Sequence, residues 1–240
     1  MIRTTTFSAV VAVLALAGSA SADEGKGSSR FGTRGFIISA DRLIPLTSYE
    51  SVKTTQSDGS SETKSDLSLG LFSNAPYTAF GTFYNLPRIA FDWIPVRNLT
   101  LGGAVWLYTQ LTATNGSGSD QPKVTYWGVA PRVGYVVPLG DALSLWPRAG
   151  VEYHNVSASS VNGYVSPSVT QFALEAEVML VISPWDHFGF TVGPTVDVPI
   201  SGKSTSSSAT GTGTTGAATA TSFDSAMFQI GASMGLLGHF

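Results

Sequence analysis

Charged side chains make up only 12% of this 240-residue chain, and several of them recur in a pattern. The dipeptide Pro-Arg occurs three times, at Pro87-Arg88, Pro131-Arg132 and Pro147-Arg148. Acids stand at Asp92, Glu152, Glu175, Glu177 and Asp197. The planar fork of arginine pairs with carboxylates in two directions, so this set suits an internal ion-pair network. Along a water-filled passage the same residues would act as a selectivity filter. A nucleophilic relay has one candidate set, Glu152, His154 and Ser157. In an extended chain Glu152 and His154 share a face while Ser157 lies on the other, and neighbours two apart diverge, so no relay is expected. His187 and His239 stand alone, and no catalytic residue, cofactor or metal site is expected. The absence of cysteine excludes disulfides, thiolate ligands, a cysteine nucleophile and a lipidated N-terminal Cys. With 13 basic and 16 acidic side chains, the charge balance argues against a nucleic-acid-binding surface.

The elements that must hold these residues are alternating segments. Leu99, Leu101, Gly103, Val105 and Leu107 oppose Thr100, Gly102, Ala104 and Trp106. Trp127, Val129, Val133 and Tyr135 oppose Gly128, Ala130, Arg132 and Gly134. Leu143, Leu145, Ala149, Val151 and Tyr153 oppose Ser144, Arg148, Glu152 and His154. The same two-residue period runs through Gln171–Ile182, Phe188–Val198 and Phe228–Phe240, and through Arg88–Trp93. The first segment, Arg34 to Leu46, fits least, because adjacent Asp41 and Arg42 break the pattern or mark a bulge.

A soluble barrel would hydrate its second face with Lys and Glu. Here that face is mostly Gly, Ala, Ser and Thr, which suits a crowded lumen, while the unbroken apolar face suits lipid. Parity then points Arg88, Arg132 and Arg148 inward at about one height. Glu175 and Glu177 are level with them, Glu152 and Asp197 stand nearer the outer end, and Asp92 lies lower. Trp93, Trp127, Tyr135, Trp185 and Phe188, with Tyr126, fall near strand ends as an interfacial aromatic girdle. Pro131, Pro147 and Pro194 lie on the lipid-facing parity, where bulges are expected because each lacks a ladder donor.

Links near Val96–Asn98, Leu139–Asp141 and Ser183–His187 are short. Those at Thr47–Phe83, Thr112–Pro122, Ala158–Val169 and Gly202–Phe223 are long. Strict alternation of the two gives an all-β, closed, antiparallel up-and-down transmembrane barrel of eight strands, with short periplasmic turns, long external loops and both termini periplasmic. Asp66–Phe72 is read as a strand-like extension within the first external loop, since a ninth strand would break the parity. The Ser/Thr/Gly/Ala run Ser204–Ser222 buries too little apolar area to order itself and is expected to be mobile. Upstream, Met1-Ile2-Arg3, the apolar stretch Phe7–Leu16 and Ala20-Ser21-Ala22 read as a signal peptide over residues 1–22. About ten apolar residues cannot span a bilayer as a helix, which needs roughly 20. Residues 23–32 then form a short periplasmic segment, and 33–240 the barrel.

The alternating last segment, Ile230, Ala232, Met234 and Leu236 ending in Phe240, completes a chain that resembles the small bacterial outer-membrane β-barrel proteins, such as those of the outer-membrane protein A type. The resemblance implies that Phe240 belongs to the signal read by the barrel-assembly machinery. Two departures stand out: no peptidoglycan-binding domain follows Phe240, and the first external loop is long. The expected role is structural or surface-interacting, in a monomer surrounded by outer-membrane lipid, with an unidentified partner for the external loops. The alternatives are a narrow channel for small solutes or ions and, last, an outer-leaflet lipid-modifying enzyme.

Overall fold

The computed structural model describes residues 31–33, 35–56, 58–69, 86–111, 123–159, 168–209 and 218–240. The expected signal peptide, most of the segment after it, and large parts of the long loops lie outside these residues.

Among the described residues ten strands follow in chain order: β1 (Gly35–Thr55), β2 (Ser61–Leu69), β3 (Arg88–Val96), β4 (Leu99–Thr109), β5 (Val124–Tyr135), β6 (Val137–Pro138), β7 (Leu143–Ala158), β8 (Ser168–Ile182), β9 (Phe188–Ala209) and β10 (Ala218–His239). Two of them add nothing to the wall. β6 continues β5 past Val136 and pairs with β7, and β2 folds back on the far half of β1. The remaining eight pair antiparallel with their neighbours, and β1 bonds both β3 and β10. The ring is therefore closed, as the alternation requires. Asp66–Leu69 falls in β2, an extension outside the count of eight.

The end carrying Arg97-Asn98, Leu139–Ala142 and Ser183–His187 is called the turn end here, and the opposite one the loop end. Outward positions hold Ile38, Ile89, Phe91, Leu101, Val105, Val133, Val151 and Phe172, all exposed. Inward positions hold the charges. A large apolar surface outside and buried charge inside inverts the distribution of a water-soluble barrel and matches one surrounded by lipid.

The prolines behave differently from expectation. Pro131 pairs with Gly103, Pro147 with Val178 and Pro194 with Ala232, in unshifted register. On the other side of each, the ladder skips. It passes from Val129↔Tyr153 to Arg132↔Gly150 beside Pro131, stops at Gly134↔Arg148 beside Pro147, and passes from Glu177↔Thr195 to Leu180↔Val192 beside Pro194. An antiparallel residue sends its N–H toward only one neighbour, so a proline removes bonding on one side and needs no bulge. Register shifts occur elsewhere, chiefly in β1 between Ala40 and Ile44 and between Pro45 and Thr47.

The Ser/Thr/Gly/Ala run also departs from expectation. β9 and β10 remain paired through Ser204↔Phe223 to Ala209↔Ala218, leaving only 210–217 outside the described residues. Ladder hydrogen bonds propagated from the strands below carry the pairing into this stretch.

Inside, the lumen is stratified. Phe31, Ile37, Ile94, Val136, Trp146, Met179, Val181 and Leu237 form an apolar cluster toward the turn end. Phe31 reaches it from before β1 and meets the Trp146 ring edge-on at 5.3 Å. A second cluster around Trp106, Tyr126, Val156, Val169 and Met227 lies toward the loop end.

Candidate functional site

Between the two clusters lies the charged layer. β3 contributes Arg88 and Asp92, β5 Arg132, β7 Arg148 and Glu152, β8 Glu175 and Glu177, and β9 Asp197. All eight are buried, and every one joins a single network. Two further members come from β1, Asp41 and Arg42, both buried.

The local geometry of β1 explains how adjacent residues can both point inward. Asp41, Arg42 and Leu43 together oppose Gly235 alone, between Ala40↔Leu236 and Ile44↔Met234. The extra residues coil the chain, and Arg42 takes a φ of 50°. For a non-glycine residue such a conformation costs on the order of 1–3 kcal/mol and persists only when the surroundings impose it. Here the surroundings are three carboxylates.

Arg42 Nε donates to Glu177 Oε1 at 3.0 Å, and Nη2 to Glu175 Oε1 at 3.0 Å. Its Nη1 and Nη2 grip both oxygens of Asp197 at 2.8 and 3.0 Å. Arg88 Nη1 lies 2.6 Å from Glu152 Oε2 and 3.0 Å from Glu175 Oε1. Arg132 holds Asp92 through Nε and Nη2 at 3.0 and 2.5 Å, and Asp41 through Nη1 at 2.5 Å. Arg148 donates to Asp41 at 3.1 Å and also to Glu177. Arg42 therefore joins two halves, one built on Arg132 and Arg148, the other on Arg88. Aromatic faces cover the arginines: Trp106 lies 4.2 Å from the Arg88 guanidinium carbon and Trp146 4.4 Å from that of Arg148.

Sequence parity brought out eight of the ten residues and missed Asp41 and Arg42. The signal was present in their adjacency, since a charged pair that breaks alternation inside a barrel strand is what a bulge can turn to one face. One expectation fails in detail. His154 Nε2 and Glu152 Oε1 lie 3.0 Å apart, because side chains two residues apart can lean together along a strand when packed from above. Ser157 nonetheless keeps the outward parity, paired with Ser168, so no relay is assembled. Oxygens of Glu152, Glu175 and Asp197 fall within 4.8 Å of one another, as metal ligands would. Arg88 and Arg42 already take the positions a cation would occupy among them.

Trp93, Tyr135, Trp185 and Phe188 are exposed near the turn end, and Trp127 is exposed toward the loop end. Tyr126 does not join them. It is buried in the lumen, on the parity of Gly128 and Ala130. Phe240 stacks on Phe36 at 5.2 Å, and the two residues exchange backbone hydrogen bonds of 2.9 Å where the ring closes.

No family model matches the chain, and no curated protein is similar to it in sequence. Among solved structures, the outer membrane protein OprG from Pseudomonas aeruginosa is 10% identical over 89% of this chain and 100% of its own, with a TM-score of 0.48. The outer membrane protein AlkL, solved in DMPC lipid bilayers, is 11% identical over 92% and 98% of the respective chains, with a TM-score of 0.47. Neisserial surface protein A is 11% identical over 86% and 97%, with a TM-score of 0.40. The functional reading comes from this chain's own residues.

Proposed function

We propose that this chain is an integral outer-membrane barrel with a closed lumen, which acts as a structural or surface-interaction protein through its loop end and catalyses nothing. The observation that carries this reading is the continuity of the ion-pair network across the lumen, between apolar clusters on both sides. Buried charges persist only when paired with good geometry, and such pairing favours a closed lumen over a hydrated path. In this reading the turn end and both termini face the periplasm, Phe240 belongs to the strand read by the assembly machinery, and the barrel is a monomer. The outward parity of Ser157 beside Glu152 and His154 favours a non-enzymatic role.

The test is the double variant Arg132→Gln/Arg148→Gln. Each of these arginines answers Asp41, and together they also answer Asp92 and Glu177. Their loss should lower the unfolding midpoint of the refolded barrel in denaturant by several kcal/mol equivalent, of the order seen when one partner of a buried pair is removed (about 3–5 kcal/mol). Unchanged stability with an altered ion selectivity would instead make the layer the filter of a narrow channel.

A further inference from the structure

Beyond the lumen, β1 runs on past the membrane. Its outward residues change from Phe36 and Ile38 to Thr47, Ser51 and Lys53, with Tyr49 at the boundary. An apolar band about 25 Å tall ends near Tyr49, whose outward neighbours are Leu67 of β2 and Ile230 of β10, so Glu50–Thr55 stands outside it at the loop end. β2 rests on this extension. Among the described residues β2 pairs with β1 alone, and all nine of its residues are exposed. A few side-chain bonds supplement the ladder, such as Tyr49 Oη to Ser65 Oγ at 3.3 Å and Thr47 Oγ1 to the Ser68 carbonyl at 3.2 Å. The connecting turn is tied by Ser60, whose hydroxyl first and whose N–H second, donating to Asp58 Oδ1 at 2.8 Å, lower the Asp58 carboxyl.

At the centre of this short ladder two acids face each other, since Glu50 and Asp66 are register partners. Like charges directly opposite weaken a strand pair. Glu50 is buried on the inner face, 3.5 Å from Ser48 Oγ, which itself accepts from Gln229 Nε2 at 2.8 Å. The charged and titratable groups facing it are Asp66 and Lys64 on β2 and Asp197 on β9, and its partner on β10 is the uncharged Gln229. Lys64 Nζ is engaged 3.4 Å from Glu62.

We propose that Glu50, set opposite Asp66 in the register, is a proton-operated latch that holds β2 against β1 when its carboxyl carries a proton and releases β2 when that carboxyl is ionised. Burial first and Asp66 second push the Glu50 carboxyl up to about 7, which brings the latch into the physiological range. The part of this rise that β2 itself causes, through the Asp66 charge and the cover it adds, favours docking while the Glu50 carboxyl is protonated and turns against it as the pH rises through about 7. The released arm uncovers the edge of β1 from Thr47 to Thr55, a row of backbone donors and acceptors open to a strand from another chain.

The absence of cysteine allows clean labelling at Thr63→Cys on β2 and Lys203→Cys on β9, both exposed at the loop end and outside the side-chain bonds that supplement the ladder. Spin-label distances in the full barrel, folded in lipid, should show one short separation near pH 5 ("closed"). A long-distance population should grow toward pH 8, shifting the docked-to-released ratio by about tenfold or more. Glu50→Gln, of the same size, should stay closed throughout, and Asp66→Asn should move the midpoint to lower pH or abolish the transition. A distance distribution constant with pH in the parent, or an unchanged transition in Glu50→Gln, would overturn the latch.

Discussion

Arg42 carries the clearest residue-scale consequence of the structure. It stands in a left-handed backbone conformation, fully buried, and answers Glu175, Glu177 and Asp197 at once. Replacing it with Met of similar length leaves those acids short of a cation, and the folded barrel should lose about 3–5 kcal/mol in denaturant unfolding. Arg42→Lys should recover only part of this, because an ammonium cannot reproduce a fork bonded to three carboxylates. A Lys variant as stable as the parent would show that the charge alone matters. The residue also marks where sequence reading stops. Arg88, Arg132 and Arg148 are legible because each sits on a regular two-residue period. Arg42 is not, because its direction depends on how many residues oppose Gly235, a property of the partner strand.

At the scale of elements, close packing between neighbouring strands decides what each inward position tolerates. A Cβ at Gly128 would lie 2.1 Å from the Trp106 ring and 2.6 Å from the Tyr153 carbonyl oxygen. Gly128→Ala should therefore push Trp106 from its place beside Arg88 and His154 and cost about 1–3 kcal/mol in unfolding experiments. Gly140, in a turn with nothing within 4 Å of its would-be Cβ, serves as the contrast, and Gly140→Ala should stay within about 0.5 kcal/mol. The strands themselves were legible wherever a large apolar face alternates with a small one, as in β4, β7 and β8. Above the membrane that contrast disappears. Ser204–Ala209 and Ala218–Ser222 carry little alternation of size or polarity, so their pairing comes from the ladder beneath and escapes a reading of hydrophobicity. The same limit explains β2, whose Leu67 and Leu69 alternate but whose place beside β1 depends on the turn at Asp58–Ser60.

For the whole molecule, closure and stratification matter more than any single pair. Eight strands close the wall, Phe31 and its neighbours fill one side of the lumen, the cluster around Trp106 and Tyr126 fills the other, and ten charged side chains interlock between them. Link lengths and parity announced the closed wall, because lipid permits no open edge. The two apolar layers were not legible, since they combine residues from as many as seven strands and from the segment before β1. A lumen filled in this way should not conduct, and specificity then belongs to the loop end. Single-channel recording of the refolded chain in a planar bilayer, with insertion verified independently, tests this most directly. The account predicts a silent membrane, whereas discrete and reproducible conductance steps would contradict it and turn the arginine–carboxylate layer into a selectivity filter.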